Sequence, residues 1–267
     1  MARPRRGDFE RRPSIVAWFG LLVMAASFVW LQIIPTNEPR NVSPSPVARP
    51  CEQMALVVID PGHGGQDSGT MGSGLLEKDL ALDVAQRLDR LIQNQGLATL
   101  LTRAGDEYIS LAGRAAAANR QRDCIFVSIH FDEARAAATG VETYYAATET
   151  PNQPMVATWL PFLQPASVAQ ANAQSQSLAA FVEEALVAKT HAINRGTSPE
   201  QFYVITNVRH PAVLIECGFL TNTDDVAKLR TPEYRERLAA AICEGIARYR
   251  ETLRQAQPTI AGTAPET

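Results

Sequence analysis

Length, composition and charge set the first limits on this chain. Its 267 residues suit one domain of about 200 residues with shorter segments attached, and a hydrophobic content of 46% is enough for a core. Residues 1–12 carry five arginines against two acidic residues, so the rest of the chain has a net charge of −6. An acidic main domain argues against nucleic acid as the partner.

The N-terminal segments predict export. Residues 15–34 contain no charge and match the thickness of a bilayer core, which predicts a transmembrane anchor. The basic residues 1–14 would then stay in the cytoplasm, and the chain after residue 34 would lie outside it. A cleavable signal sequence is the alternative, although its apolar region is usually shorter. Residues 35–50 contain five prolines and predict an extended linker to a globular part at 51–251.

The first half of the globular part predicts alternating strands and helices. An apolar run rich in Val and Ile indicates a buried strand, and Leu80, Val84 and Leu88 recur at helical spacing. A β-α-β-α-β order implies a parallel sheet with right-handed crossovers, and thus an α/β fold. The predicted elements are strand 54–59, helix 77–95, strand 97–101, helix 111–122 and strand 124–129.

The second half is less regular. A long polar segment at 148–176 contains Trp159, Phe162 and Leu163, which predict either a lid over a site or a surface excursion. Residues 252–267 have the composition of a disordered tail. The predicted elements are strand 141–146, helix 177–191, strands 202–205 and 212–215, and helix 232–250.

Four side chains form a candidate metal site. His63 follows the first predicted strand across a glycine-rich turn, while His130 and Glu216 each end a later apolar run. Glu77 opens the first helix shortly after His63. Sites in open α/β sheets lie beyond the carboxyl ends of strands, and catalytic zinc takes three ligands from His and carboxylate. The remaining carboxylate would then be available as a general base.

The four cysteines do not predict a thiolate metal site. None of them has a Cys-x-x-Cys spacing. Cys51 precedes the first strand and Cys124 begins a parallel strand, so a disulfide between them is an open alternative in an exported protein.

Six motifs follow one another along the globular part: Val-Ile-Asp-Pro-Gly-His-Gly-Gly (58–65), Leu-Leu-Glu-Lys-Asp (75–79), Leu-Thr-Arg (101–103), Ser-Ile-His (128–130), Asn-Arg-Gly (194–196) and Leu-Ile-Glu-Cys-Gly-Phe-Leu (214–220). Singly they are weak signals. Together and in this order they resemble the zinc-dependent N-acetylmuramoyl-L-alanine amidases of bacterial cell-wall turnover. The resemblance spans about residues 54–250.

This resemblance implies both fold and chemistry. It implies a mixed, mostly parallel six-stranded sheet flanked by helices, and a zinc ion (Zn2+) held by His63, Glu77 and His130. It implies Glu216 as the catalytic glutamate. The implied substrate is peptidoglycan, at the amide that joins N-acetylmuramic acid to L-alanine of the stem peptide.

Other residues leave alternatives open. Arg195 is predicted either to bind a carboxylate of the stem peptide or to form a surface salt bridge, and Asp60 either to orient His63 or to form the turn. Arg103 and Arg114 are predicted to form structural ion pairs. Regulation by an activator protein is an open alternative. The rival functions are a zinc hydrolase of the same architecture acting on another amide, and an inactive wall-binding module.

Overall fold

A six-stranded sheet forms the centre of the fold. The structure is a computed structural model that describes residues 54–132, 138–147 and 166–256, with side chains from residue 172 onward in the last range. In chain order the strands are β1 (Leu56–Pro61), β2 (Met71–Gly72), β3 (Leu75–Leu76), β4 (Ala98–Leu101), β5 (Cys124–Asp132), β6 (Val141–Ala146), β7 (Asn194–Glu200) and β8 (Ala212–Phe219), of which β2 and β3 form a separate ribbon.

The sheet has the strand order β4-β1-β5-β8-β6-β7. The first four strands are parallel, β6 runs antiparallel to β8, and β7 is parallel to β6. The prediction of an α/β fold with a mostly parallel, six-stranded sheet is therefore confirmed. Because β1, β5 and β8 lie side by side, the residues at their carboxyl ends meet at one edge of the sheet.

Helices cover both faces of this sheet. One face packs against α1, α3 and α6 in the larger core, while the other packs against α2 and α4 in a smaller core. Successive strand residues alternate between these faces, so Val57 and Ile59 enter the larger core and Val58 the smaller one. The helices are α1 (Glu77–Asn94), α2 (Leu111–Asn119), α3 (Ala166–Thr190), α4 (Tyr203–Thr206), α5 (Thr223–Leu229) and α6 (Pro232–Gln255).

Two predictions about the region between β6 and β8 are wrong. The predicted strand 202–205 is replaced by the one-turn helix α4, in which Val204 and Ile205 are buried in the smaller core. A short run of apolar residues is compatible with either state, and here the places beside β8 are taken by β5 and β6. The predicted polar loop at 148–176 ends early, since α3 begins at Ala166. Alanine is the strongest helix former, and residues 166–173 contain four.

Further elements were not predicted. β7 has the sequence Asn-Arg-Gly-Thr-Ser-Pro-Glu, whose composition disfavours a strand, and it is held at the edge of the sheet by its pairing with β6. α5 begins after Asn222, whose side chain accepts hydrogen bonds from two backbone N–H groups.

The last predicted helix is longer than expected. α6 continues to Gln255, which corrects the predicted start of a disordered tail at residue 252.

Several predictions fall outside the described residues. These include the segment 15–34, the linker 35–50, Cys51 and the three candidate lid residues. Within residues 54–132, 138–147 and 166–256, no helix is long and apolar enough to cross a membrane. Cys124 is a free, buried thiol, and Cys51, the partner considered for it, lies outside the described residues.

Candidate metal centre

The turn after β1 brings His63 into the site. His63 has a φ of +56°, a left-handed conformation that is uncommon for a residue with a side chain. The preceding position, Gly62, requires glycine because a β-carbon there would lie 2.5 Å from the ring of His130. Gly69, with φ +62°, allows a similar close approach, since its β-carbon would lie 2.4 Å from Glu77 Oε2. These glycines let the backbone pass directly behind the candidate ligands.

His63, Glu77 and His130 converge as predicted. His63 Nε2 lies 3.1 Å from Glu77 Oε1, and His130 Nδ1 lies 2.9 Å from the same oxygen. One ligand atom from each residue can be chosen so that all three lie within 4.8 Å of one another. The three side chains come from the turn after β1, the start of α1 and the end of β5.

This donor set fits a zinc ion. Two imidazole nitrogens and one carboxylate oxygen are a common protein ligand set of catalytic zinc. Tetrahedral zinc with ligands at about 2.0–2.1 Å separates its ligand atoms by about 3.3 Å. The observed separations of 3.1 and 2.9 Å are close to that value.

Backbone donors hold the carboxylate of Glu77 in place. Thr70 N–H donates to Oε2 at 2.7 Å and Phe131 N–H donates to Oε1 at 3.1 Å. Burial alone would raise the pKa of Glu77, but hydrogen bonds with His130 and His63 outweigh it and lower the pKa well below its usual range. Glu77 is therefore held as an anion, the form that binds a cation.

Asp67 is a site residue that no sequence signal predicts. Its Oδ2 lies 2.9 Å from His63 Nδ1, the ring nitrogen that faces away from Glu77, and its Oδ1 accepts from Gly69 N–H at 3.1 Å. Metal-binding histidines commonly place their other nitrogen beside a carboxylate. The position of Asp67 depends on the backbone of Gly64 and Asp67 bonding to each other in both directions, a turn geometry that the sequence does not reveal.

Glu216 lies beside the three candidate ligands. It pairs with His130 across β5 and β8, where an extra residue in β8 forms a bulge, as is common next to active sites. Glu216 Oε2 is buried and has no hydrogen-bond partner among the described residues. Burial, followed by the negative charges of Glu77, Asp132 and Glu142, raises the pKa of Glu216 well above its usual value.

These residues surround one cavity of about 430 Å³. Its lining is mostly polar or charged and includes all four of the predicted site residues that carry the proposed chemistry. The lining consists of His63, Asp67, Gly69, Thr70, Glu77, His130, Asp132 and Glu216.

Arg195 lies near this site without lining the cavity. Its Nε donates to Glu142 Oε2 at 3.0 Å, and its guanidinium lies 4.9 Å from the centre of the Phe219 ring. Glu142 is the cross-strand partner of Glu216 in the antiparallel pair of β6 and β8. The structure thus contains a salt bridge of Arg195, the second of the two alternatives considered for it, and this salt bridge lies next to the candidate base.

A mostly parallel α/β sheet that carries two histidines and a glutamate beside a buried carboxylate defines a candidate metal-dependent hydrolase. Residues 57–248 match the family profile described as N-acetylmuramoyl-L-alanine amidase. The chain therefore belongs to the N-acetylmuramoyl-L-alanine amidase family, and it is an enzyme that acts on peptidoglycan.

Relatives and solved structures agree with this membership. The chain is 34% identical over 206 residues to the uncharacterised protein YqiI of Bacillus subtilis strain 168, covering 75% of this chain and 90% of YqiI. It is 36% identical over 195 residues to the N-acetylmuramoyl-L-alanine amidase LytC of the same organism, covering 72% of this chain and 35% of LytC. The crystal structure of an N-acetylmuramoyl-L-alanine amidase from Clostridium difficile 630 is similar with a TM-score of 0.62 at 33% identity, covering 75% of this chain and 98% of that chain.

Proposed function

We propose that this peptidoglycan amidase is zinc-dependent, with His63, Glu77 and His130 as the metal ligands and Glu216 as the general base. The bond cleaved is the amide between N-acetylmuramic acid and L-alanine. The observation that carries the proposal is the convergence of three zinc-type ligands on a cavity that also contains a buried carboxylate oxygen with no hydrogen-bond partner in the described part of the chain.

Hydrolysis of an amide needs a stronger electrophile and a stronger nucleophile than the free amide and water provide. Zinc supplies both when bound, because it polarises a carbonyl oxygen and lowers the pKa of a water molecule. The protein's part is to hold the reacting groups and move the proton. Glu216 takes the proton from the attacking water and delivers it to the leaving L-alanine nitrogen, and its raised pKa suits a group that must both accept and donate.

We further propose that Arg195 binds a carboxylate of the stem peptide. Among the described residues its guanidinium bonds to Glu142 through Nε, and 36% of its side chain is exposed, so the two terminal nitrogens are in a position to bind an anion. A guanidinium binds carboxylates in a bidentate manner. The phenyl ring of Phe219 beneath it limits the orientations that the guanidinium can adopt.

We also propose that residues 15–34 anchor the enzyme in the membrane, with the catalytic part on the extracytoplasmic side. Support comes from the uncharged length of this segment and from the basic residues that precede it. Fractionation of cells tests this proposal. Recovery of all the protein in the soluble extracytoplasmic fraction would reject it.

Digestion of purified peptidoglycan tests the proposed reaction. The full-length protein should release free stem peptides that begin at L-alanine, and a chelator should abolish that release until zinc is restored. Mass analysis of the products identifies the bond. Cleavage of a different amide would favour the rival hydrolase, and binding without any product, in a zinc-loaded sample, would favour the wall-binding module.

A further inference from the structure

Two buried arginines surround the backbone of the turn that carries His63. Arg103 and Arg114 are each only 3% exposed. Arg114 donates to the carbonyl of His63 at 2.5 Å and to that of Pro61 at 2.6 Å. Arg103 donates to the carbonyl of Gly62 at 2.7 Å and to that of Pro61 at 3.1 Å. Three successive carbonyl groups are therefore held by two guanidinium groups, and we call this arrangement the arginine clasp.

The clasp stabilises the strained backbone conformation of His63. A residue with a side chain is strained at a φ of +56°, and such strain persists only where the surroundings determine the backbone. A guanidinium is planar and presents its donors in a fixed geometry, so it can fix the direction of several carbonyl groups at once. Because the carbonyl groups of Gly62 and His63 are both held, the backbone on each side of the His63 Cα is fixed, and with it the direction of the Cα–Cβ bond that carries the imidazole.

The clasp is itself anchored to the sheet. Arg114 Nη1 donates to Asp60 Oδ1 at 2.8 Å, and this carboxylate also accepts from the hydroxyl groups of Thr102, at 2.5 Å, and Ser128, at 2.8 Å. Thr102 follows β4 and Ser128 lies in β5, so Asp60 joins the ends of three neighbouring strands. Asp60 thereby acts on His63 through Arg114 and the backbone, not by contact with the imidazole.

The clasp also reaches a second candidate ligand. Arg103 Nη2 donates to the carbonyl of Lys78 at 2.8 Å, in the first turn of α1 and directly after Glu77. One side chain thus connects the turn of His63 with the helix start that supplies Glu77. The relative position of two metal ligands from different elements is fixed by hydrogen bonds that do not involve the metal.

We infer that Arg103 and Arg114 are positioning residues that form the metal site before the metal binds. This inference rests on the proposed zinc site and goes beyond it, because it assigns the affinity for zinc in part to residues that never touch the ion. Without the clasp, the His63 turn can adopt other conformations. The free energy needed to restore the ligand geometry then lowers the affinity of the protein for zinc. Partners that orient metal ligands typically change metal affinity about 10–100-fold.

The substitution Arg114→Lys tests this inference in the full-length protein. Lysine keeps the charge, but its single nitrogen cannot occupy both the position of Nη1, which donates to Asp60 and Pro61, and that of Nη2, which donates to His63. Starting from metal-free protein, competition with a chromophoric chelator should show a zinc dissociation constant about 10–100-fold above the wild-type value. The matched control is Arg87→Lys, which alters a guanidinium paired with Asp83 and Glu236 far along α1 and should leave the zinc affinity unchanged.

The outcomes separate this inference from the proposed function. If wild-type protein binds one zinc ion and His63→Ala abolishes it, the site stands. Wild-type affinity in a folded Arg114→Lys variant would then overturn the inference alone, because a merely structural arginine would lower stability without changing zinc affinity. Failure of the wild-type protein to bind zinc at His63 would overturn the proposed function itself.

Hydrogen exchange provides a second measurement that needs no variant. Gly62 N–H donates to the carbonyl of Ile129 at 2.9 Å, and Gly64 N–H donates to the carbonyl of Asp67 at 2.8 Å. If the clasp forms the turn without metal, both amides should exchange in zinc-free protein within about tenfold of their rates in zinc-loaded protein. Exchange that is fast without zinc and slows more than about 100-fold on its addition would overturn the inference.

Discussion

Among the carboxylates that line the cavity, Glu216 combines deep burial with an oxygen that has no hydrogen-bond partner among the described residues. Glu77 has both oxygens engaged by backbone donors, which suits a ligand held in one orientation. An unpartnered carboxylate oxygen retains a lone pair for a substrate proton, which suits a base. Hydrogen bonding as well as position therefore distinguishes Glu77, the proposed ligand, from Glu216, the proposed base.

Replacement of Glu216 by Gln should remove catalysis and leave the metal site intact. Glutamine has the same size but cannot accept and return a proton, so turnover of peptidoglycan should fall at least about 10²–10⁴-fold. Zinc content, measured by elemental analysis, should remain at the wild-type level. His63→Ala serves as the contrast, since it should lose both zinc and activity. Near-normal turnover in Glu216→Gln would remove this residue from the mechanism.

Arg195→Gln should discriminate between charged and neutral substrates. A hydrogen bond to a charged group contributes about 1.5–3 kcal/mol, which corresponds to a KM increase of about 10–100-fold for stem peptides with a free carboxylate. Stem peptides whose carboxylates are amidated should be nearly unaffected and act as the internal control. An equal loss for both substrates would indicate that Arg195 acts only through its contact with Glu142.

The sequence predicts the four principal site residues because each stands where a regular element begins or ends. His130 and Glu216 complete apolar runs, and Glu77 opens a periodic helix. Asp67 and Glu142 have no such signal. Asp67 reaches His63 through the turn geometry, and Glu142 reaches Glu216 through the register of an antiparallel pair that neither strand specifies alone.

At the scale of elements, the packing of α3 depends on a buried carboxyl group. Glu183 is 4% exposed, and its Oε2 accepts from Thr143 Oγ1 of β6 at 2.8 Å. Burial raises the pKa of Glu183 from 4.5 to about 7. Between these values the unfolded chain releases a proton that the folded chain keeps, so stability falls as the pH rises, and the loss is complete above about pH 7.

Glu183→Gln should abolish this pH dependence. The pKa shift of Glu183 limits the change in the free energy of unfolding to about 3 kcal/mol. The variant should therefore be more stable than wild type at pH 8 by up to that amount, and similar in stability at pH 4.5. Urea denaturation at several pH values measures the difference. Glu184→Gln is the matched control, because this neighbouring glutamate is exposed and bonds to Arg248. A wild-type pH profile in Glu183→Gln would show that another group is responsible.

The elements differ in how far the sequence determines them. β5 and β8 are predicted because central parallel strands are buried on both faces and thus consist of continuous apolar residues. β7 is not predicted because an edge strand with glycine and proline depends on its neighbour for its conformation. α4 was predicted as a strand because four residues are too few to show a period.

At the scale of the whole molecule, strand order decides which residues form the site. Placing β1, β5 and β8 side by side brings together residues that are separated by more than 150 positions in the chain, from His63 to Glu216. The β-α-β-α-β pattern predicts the parallel half of this order. The insertion of β6 beside β8, antiparallel to it, is set by tertiary packing and brings Glu142 and Arg195 to the same edge.

The proposed function has one central claim, that a single zinc ion joins residues from three elements. Crystals of the zinc-loaded protein, measured at the zinc absorption edge, test it most directly. We expect one anomalous peak at about 2.0–2.1 Å from a nitrogen of His63, a nitrogen of His130 and an oxygen of Glu77, with Glu216 facing it across the cavity. Zinc bound elsewhere, with no peak between these three side chains, would show that they are not the metal ligands.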